Sequence, residues 1–403
     1  MNSARRRALA PRDRRSPRRA PRVPDSSAIE RPAGTGPASA AAWSKAAPRA
    51  GSAWRPVVAA LACVLLGGCA TLVAGGIVAP PPPALKRSEV DAALARAGSR
   101  LEFLERDGQP RIAYALVEPG DHRLWYEYRA SAGRWTWRLS YRAPLPAMAP
   151  RGTVVLLHGW STSLATSLPW ALAYAERGWR AVLVDLRNHG RSGRAPSGYG
   201  AREADDVAAL LDHLVAAGRA PAPLALHGVS LGAVVALHLA ARRADIGAVV
   251  AIEPYANAGD AVRSGFVGVV NDATEWLVDA RTLDRAIARA GDRLDLDLDA
   301  LDTGAVLARV GACALLLQGQ RDTVVPVEAG RALEGVNPRA QRLELPWDGH
   351  FSTVGRLDLL GDPVPEWLAV AANAPATCPP FVVYAWTPQD GLRGVLESPW
   401  RWW

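Results

Sequence analysis

Pro223-Leu224-Ala225-Leu226-His227-Gly228-Val229-Ser230-Leu231-Gly232-Ala233 is the stretch that decides the fold. Pro223 to His227 reads as a short apolar strand, and Ala233 to Arg243 as an alanine- and leucine-rich helix. Between them, G-x-S-x-G puts Ser230 at a tight strand-to-helix turn with its hydroxyl exposed. Glycines flank the serine because a Cβ at either place would clash with the turn. The pentapeptide also arises by chance, as a turn serine in a non-catalytic sheet. Its weight here comes from strand, turn and helix coinciding.

A serine at its free pKa is a poor nucleophile and needs a base oriented by an acid. Ala314 to Gly319 reads as a buried strand, and Asp322 lies in the loop that follows it, where open α/β sheets carry their chemistry. Gln341 to Leu345 reads as a further strand, followed by Asp348-Gly349-His350. The expected set is therefore Ser230, Asp322 and His350, in that chain order. Two other readings concern the acid. Asp322 could cap the helix near Val327 to Leu333, and Glu253, just after the strand Gly247 to Ile252, is its rival as the orienting carboxylate. Val154 to Leu157 is an apolar strand ending in His158-Gly159-Trp160, so the backbone N–H groups of Trp160 and Leu231 are the candidate oxyanion hole. His158 and His189, each beside a glycine at a strand end, read as structural.

From about Gly152 to Trp367 the chain resembles the α/β-hydrolase superfamily, in its lipase, esterase and serine-aminopeptidase-like branch. The matching pieces are Leu156-Leu157-His158-Gly159-Trp160, Val184-Asp185-Leu186-Arg187-Asn188-His189-Gly190-Arg191-Ser192, His227 to Gly232, Gly319-Gln320-Arg321-Asp322 and Gly349-His350. The Ser…Asp…His order is that superfamily's order. Glycine usually stands where this chain has Asn188, and asparagine tolerates the left-handed conformation such a turn needs. The resemblance implies an α/β fold with a mostly parallel, doubly wound sheet, an antiparallel N-terminal edge and a small helical cap. It implies a serine hydrolase acting on an ester, thioester or amide, with an esterase favoured over a serine aminopeptidase-like peptidase. A non-catalytic, membrane-anchored binding protein on the same fold is the reading from another class, but a scaffold has no reason to keep all three triad residues.

Residues 1–68 hold thirteen Lys/Arg against three Asp/Glu, so this segment's +10 outweighs the formal net charge of +8 and leaves residues 69–403 at −2. The catalytic part is not basic, and no nucleic-acid partner is expected. Residues 1–56 form a Pro-, Ser- and Arg-rich extension that cannot bury a core. It reads as a solvated tail, or as the product of a start codon set too far upstream. Residues 57–79 carry no charge and are long enough to span a hydrocarbon core. Two readings fit them. Leu66-Gly67-Gly68-Cys69 resembles a lipoprotein box, making Cys69 a lipidated N-terminus, or the run is an uncleaved anchor with its basic end in the cytoplasm. Either ties the enzyme to a membrane with the catalytic domain outside the cytoplasm, in a bacterial envelope.

Residues 80–110 read as linker and short helix (Ser88 to Ala97), 111–375 as the hydrolase domain and 376–403 as a tail without an assigned role. Arg111 to Val117, Arg123 to Tyr128 and Arg134 to Tyr141 alternate as antiparallel strands leading into the sheet. Trp125, Trp135 and Trp137 in them read as packing residues. A cap of two or three helices is expected at about 254–311, including Arg281 to Arg289. Asp295-Leu296-Asp297-Leu298-Asp299 invites a calcium reading, but Ala300 stands where an EF-hand loop needs glycine. No metal is expected, and with neither a nicotinamide fingerprint nor a Walker loop no cofactor is either. Cys313 and Cys378 read as two ordinary thiols, although an oxidising compartment would permit a bond.

Overall fold

The computed structural model describes residues 69–83, 85–131, 134–269, 278–373, 376–386 and 393–397. The basic extension and the first part of the apolar run, through Gly68, lie outside them.

Eight strands form one sheet: β1 (Leu101–Leu104), β2 (Ile112–Val117), β5 (Thr153–Leu157), β6 (Arg180–Val184), β7 (Leu224–Val229), β8 (Ile246–Ile252), β9 (Cys313–Gly319) and β10 (Ala340–Leu345). Their order is β1-β2-β6-β5-β7-β8-β9-β10. The pairings β1·β2 and β2·β6 are antiparallel and all others are parallel. This is the expected mostly parallel sheet with an antiparallel N-terminal edge. It starts earlier than residue 111, because Leu101–Leu104 adds an edge strand inside the expected linker.

The central strands are apolar throughout because helices cover both faces. In β5, Val154 and Leu156 enter the core cluster on one face, and Val155 and Leu157 the cluster on the other. The first face is covered by α3 (Leu168–Glu176) and α12 (Pro363–Ala371), the second by α4 (Ala201–Ala216) and α5 (Leu231–Ala240). Two further helices, α1 (Cys69–Val78) and α2 (Arg87–Arg96), precede β1.

Strands β3 (Trp125–Ser131) and β4 (Arg134–Ser140) depart from expectation. They form a separate two-stranded hairpin outside the main sheet. Trp125 is exposed and not a packing residue. The side chains of Trp135 and Trp137 lie outside the described residues.

The described cap consists of α6 (Ala258–Val269), α7 (Ala280–Leu294), a 3-10 turn at Leu298–Ala300 and α8 (Thr303–Leu307). Asp279 caps α7 by accepting from Thr282 N at 2.8 Å. In the Leu/Asp run, Asp297 caps the 3-10 turn through Asp299 N at 3.0 Å. Arg263 binds Asp299 (2.6 Å) and Asp284 (3.0 Å), tying α6 to α7 and to the turn. Against this cap lies α1, the end of the apolar run. Its Ala70, Ala74 and Ile77 share a cluster with Leu283, Ile287, Ala290 and Leu294, and Tyr199 donates its hydroxyl to Ile77 O at 2.7 Å. Among the described residues no helix is long and apolar enough to cross a membrane.

The reading of Cys313 and Cys378 as two separate thiols is corrected. They are bonded to each other, with Cα atoms 5.6 Å apart. Sixty-five residues separate them in sequence, so nothing local signals their meeting, which depends on the chain returning past α12 to the start of β9. The returning segment is also held by Trp367 Nε1 and Gln341 Nε2, which donate to Pro379 O at 2.9 and 2.6 Å. Phe381 and Val383 are buried in the main core. Beyond them, β11 (Val382–Trp386) pairs antiparallel with β12 (Arg393–Glu397).

Candidate active site

Ser230, Asp322, His350, Trp160 and Leu231 each follow the carboxyl end of a parallel strand, the edge where open α/β sheets assemble their sites, whereas Cys69 opens the helix α1. Ser230 stands between β7 and α5 with φ 52° and ψ −115°. Such a conformation in a non-glycine residue costs energy and persists only where its surroundings enforce it. Here they do. A Cβ on Gly228 would lie 2.1 Å from Gly232 O, and one on Gly232 would lie 2.2 Å from Leu157 O. The turn is thus packed too closely for any other residue at either place. Ser230 N donates to Ile252 O at 2.8 Å, fastening the elbow to the end of β8.

Asp322, buried in the loop after β9, uses both oxygens. Oδ1 accepts from Val324 N (2.7 Å) and Val325 N (2.8 Å), and Oδ2 accepts from His350 Nδ1 at 2.7 Å. The capping reading thus describes one oxygen and the orienting reading the other. The capped backbone is the turn preceding α9 (Val327–Ala332), not the helix itself. His350 opens the short helix α10 (His350–Val354), which is followed by α11 (Leu357–Leu360). With Nδ1 donating to Asp322, its Nε2 is left as the acceptor a general base needs.

The loop holding α10 is braced. Arg356 donates to the buried Asp348 at 2.6 Å, and Arg321 N donates to Asp348 O at 2.9 Å. Burial pushes the Asp348 carboxyl up, against the pull of Arg356. Trp170 Nε1, donating to Val354 O at 2.9 Å, fixes the far end.

On the other side of the elbow, a Cβ on Gly159 would touch Ser230 Cβ at 3.5 Å, so the β5 loop lies against the serine. Trp160 follows, stacked on Tyr199 at 5.3 Å, and Leu231 is buried at the start of α5. His158 and His189 hold this loop. His158 Nε2 accepts from Leu186 N (3.1 Å) and its Nδ1 faces Gly159 O (2.8 Å). His189 Nε2 accepts from Ser161 N (3.3 Å) and its Nδ1 faces Arg187 O (2.8 Å). Burial holds His158 down at about 3 and lowers His189, so both rings stay neutral acceptors.

Asp185, at the end of β6, has a bracing role that its sequence neighbourhood does not signal. Its buried carboxylate accepts from Leu164 N (2.7 Å) and Arg191 N (2.8 Å), joining the β5 loop to the loop after β6. Burial raises it to about 6. Asn188 has φ 67°, the left-handed turn its residue type suits.

Glu253 is fully buried, with φ 54°. Its Oε1 accepts from Gly319 N at 2.8 Å. Burial, then the charge of Asp322, lift its carboxyl well above the usual carboxylate range. A Glu253 oxygen, an Asp322 oxygen and a His350 ring nitrogen lie within 4.8 Å of one another, close enough to ligate a metal. In this set Asp322 takes three N–H donors and Glu253 Oε1 takes one. The arrangement handles a proton between Asp322 and His350 and leaves His350 Nε2 available toward a hydroxyl.

Residues 148–289 match the family described as serine aminopeptidase, S33. The chain is 30% identical over 230 residues to a pimeloyl-(acyl-carrier protein) methyl ester esterase of Chromobacterium violaceum, covering 49% of this chain and 86% of that protein. The Xanthomonas campestris esterase of the same name is 28% identical over 252 residues, 54% of this chain and 94% of its own length. A 96-residue stretch is 31% identical to the uncharacterized protein YqkD of Bacillus subtilis, and the chain spans about a third (32%) of that protein. Among solved structures, the Pyrococcus furiosus esterase Pf2001 aligns with a TM-score of 0.50 at 17% identity, over 73% of this chain and 98% of its own. The 2,6-dihydroxy-pseudo-oxynicotine hydrolase aligns with 0.50 at 15% identity, over 81% and 87%. These two likenesses concern the fold alone. Sheet order, helical layers and the length of the match to the esterases lead to one conclusion: this chain is an esterase-like enzyme belonging to the α/β-hydrolase superfamily.

Proposed function

We propose that the chain is a serine hydrolase that cleaves a carboxylic ester through an acyl-enzyme, with Ser230 as nucleophile, His350 as base and Asp322 as the orienting acid. The observation that carries this is the 2.7 Å contact from His350 Nδ1 to a buried Asp322, with Ser230, held at φ 52°, at the same carboxyl edge of the sheet. His350 Nε2 takes the Ser230 proton as Oγ attacks the ester carbonyl. The resulting imidazolium is stabilised by Asp322. The negative oxygen is received by the N–H groups of Trp160 and Leu231. Collapse expels the alcohol, protonated by His350. A water deprotonated by His350 then releases the acid and regenerates Ser230.

The names of the Chromobacterium and Xanthomonas relatives favour ester over amide substrates and a carboxylic acid with an alkyl-ester end. Peptidase activity is the second reading, favoured by the description of the matching family. We further propose that the domain works outside the cytoplasm, tethered near Cys69. The Cys313–Cys378 bond supports an oxidising location, and the packing of α1 on the cap would set the tether beside the site.

The test is reaction of the full chain with a fluorophosphonate probe, then a panel of p-nitrophenyl esters and aminoacyl anilides. Ser230→Ala is expected to abolish labelling and ester turnover while leaving the urea midpoint unchanged. Labelling that persists in Ser230→Ala on another serine would overturn the assignment.

A further inference from the structure

Glu253 is a buried acid for which neither the triad nor the fold's core packing has a use. It is fully buried, and its backbone is held at φ 54°, a conformation that costs a β-strand end something to maintain. Glu253 N donates to Leu317 O at 2.8 Å, which places its side chain over the end of β9. One carboxyl oxygen, Oε1, is matched by Gly319 N. The other, Oε2, is buried without a partner at ordinary hydrogen-bond geometry. A buried carboxylate oxygen with no donor is a costly arrangement. The groups facing it are Asp322 from the loop after β9, His350 and Thr353 from α10, and the Gly319 amide. Asp322 brings a second carboxyl to within 4.8 Å. Two carboxylates this close in a dry site do not both ionise.

We propose that Glu253 is a positioning residue for the triad: its Oε2 carries a proton directed at the Asp322 carboxylate, so the pair holds one negative charge and Asp322 is kept facing His350. The proposal rests on the triad reading given above. The proton removes the orphan at Oε2 by turning it from an unmatched acceptor into a donor. It gives Asp322 a further donor beyond Val324 N, Val325 N and His350 Nδ1. It also moderates the negative charge His350 meets, since a carboxylate that accepts another hydrogen bond holds an adjacent imidazolium less tightly. Glu253 touches neither the ester nor the reacting atoms. Its effect passes through Asp322.

The experiment is the pH dependence of kcat and kcat/KM on p-nitrophenyl butyrate for the full chain and for Glu253→Gln and Glu253→Leu, with urea midpoints recorded alongside. Glu253→Gln keeps an acceptor for Gly319 and a donor toward Asp322, without charge. Its kcat is expected within about threefold of the wild type, with the acidic limb of the kcat/KM profile in place. If Glu253 is ionised in the working enzyme, the same variant removes a negative charge beside His350 and the limb moves down by about one pH unit, which would overturn the proposal. Glu253→Leu removes the donor. Its kcat is expected to fall about tenfold to a hundredfold, the scale of a lost hydrogen bond to a charged group, with KM little changed and the acidic limb moved upward. A folded Glu253→Leu with wild-type kcat and limb would make Glu253 a filler of space and overturn the proposal. Should Glu253→Leu not fold, the limb of Glu253→Gln still decides. Ser230→Ala in the same assay separates the two levels: full activity there would remove the triad and this proposal together, whereas the Glu253 outcomes bear on the carboxyl pair alone.

Discussion

Replacing Asp322 by asparagine separates what this residue does for the fold from what it does for His350. Oδ1 is claimed by two backbone amides, Val324 N and Val325 N, at 2.7 and 2.8 Å. Only an oxygen can satisfy them, so the asparagine carbonyl must occupy that position. The amide NH2 then takes the place of Oδ2 and points at His350 Nδ1. Two donors cannot face each other, so Nδ1 must give up its hydrogen and Nε2 must carry it. An imidazole in that tautomer cannot accept the Ser230 proton. The expected loss is about 10⁴-fold in kcat, as reversal of the tautomer produces in other triads, or about 5.5 kcal/mol of transition-state stabilisation. KM should stay within a few fold and stability within about 1 kcal/mol, since the turn keeps its acceptor. Asp322→Ala leaves both amides unmatched and should cost about 1–3 kcal/mol of stability for each, besides the activity. Steady-state turnover of p-nitrophenyl butyrate and urea unfolding followed by tryptophan fluorescence measure both quantities. An Asp322→Asn enzyme of unchanged stability keeping more than about 1% of wild-type kcat would refute the tautomer argument.

The Cys313–Cys378 bond closes a separation of 65 residues, for which chain entropy gives an upper figure of about 4 kcal/mol. Cys378→Ser should therefore lower the unfolding free energy by about 2–4 kcal/mol, and an unchanged urea midpoint would refute the bond's role. Acid should unfold the protein early: His158 and His227 are held down at about 3 and His238 at about 4, all by burial. Their folded values lie below the unfolded 6.5, so their contribution is complete above that pH and is lost as pH falls toward 3–4. Each gives up about 2 kcal/mol by pH 5, of which Asp185, raised to about 6, returns about 1. A urea midpoint that is flat from pH 7.5 to 5 would contradict this. If the chain is a lipoprotein, Cys69→Ser should accumulate full-length precursor and abolish lipid labelling. Full-length, unlipidated native protein would point to an uncleaved anchor instead.

The strands were legible because burial on both faces writes Val154 to Leu157 and Ala314 to Leu317 as unbroken apolar runs. The elbow was legible because its two glycines answer to close backbone contacts. Asp322 and Glu253 show where legibility stops. Both are acids just past a strand, and sequence made them rivals for one role. In space they are neighbours with different partners, Asp322 with three N–H donors and Glu253 with one. The hairpin β3–β4 carries the same alternation as a sheet strand, since alternation records one solvated face and says nothing of which sheet a strand joins. The uncharged run 57–79 reads as membrane-seeking by composition, yet ten residues near its end, Cys69–Val78, pack on α7 through Ala70, Ala74 and Ile77. Apolar surface is satisfied by either setting, so composition cannot choose between them.

The disulfide makes the fold's completeness depend on its chemical surroundings. While Cys313 and Cys378 are thiols, the segment that brings Phe381 and Val383 into the core is held by hydrogen bonds from Trp367 and Gln341 and by the burial of those two side chains, contacts that can open without unfolding the sheet. Each opening presents an extended, apolar stretch to any protease present, at a rate governed by the population of the open form. Oxidation closes that route. The same sequence is thereby expected to last longer where the bond is formed than where its thiols stay reduced.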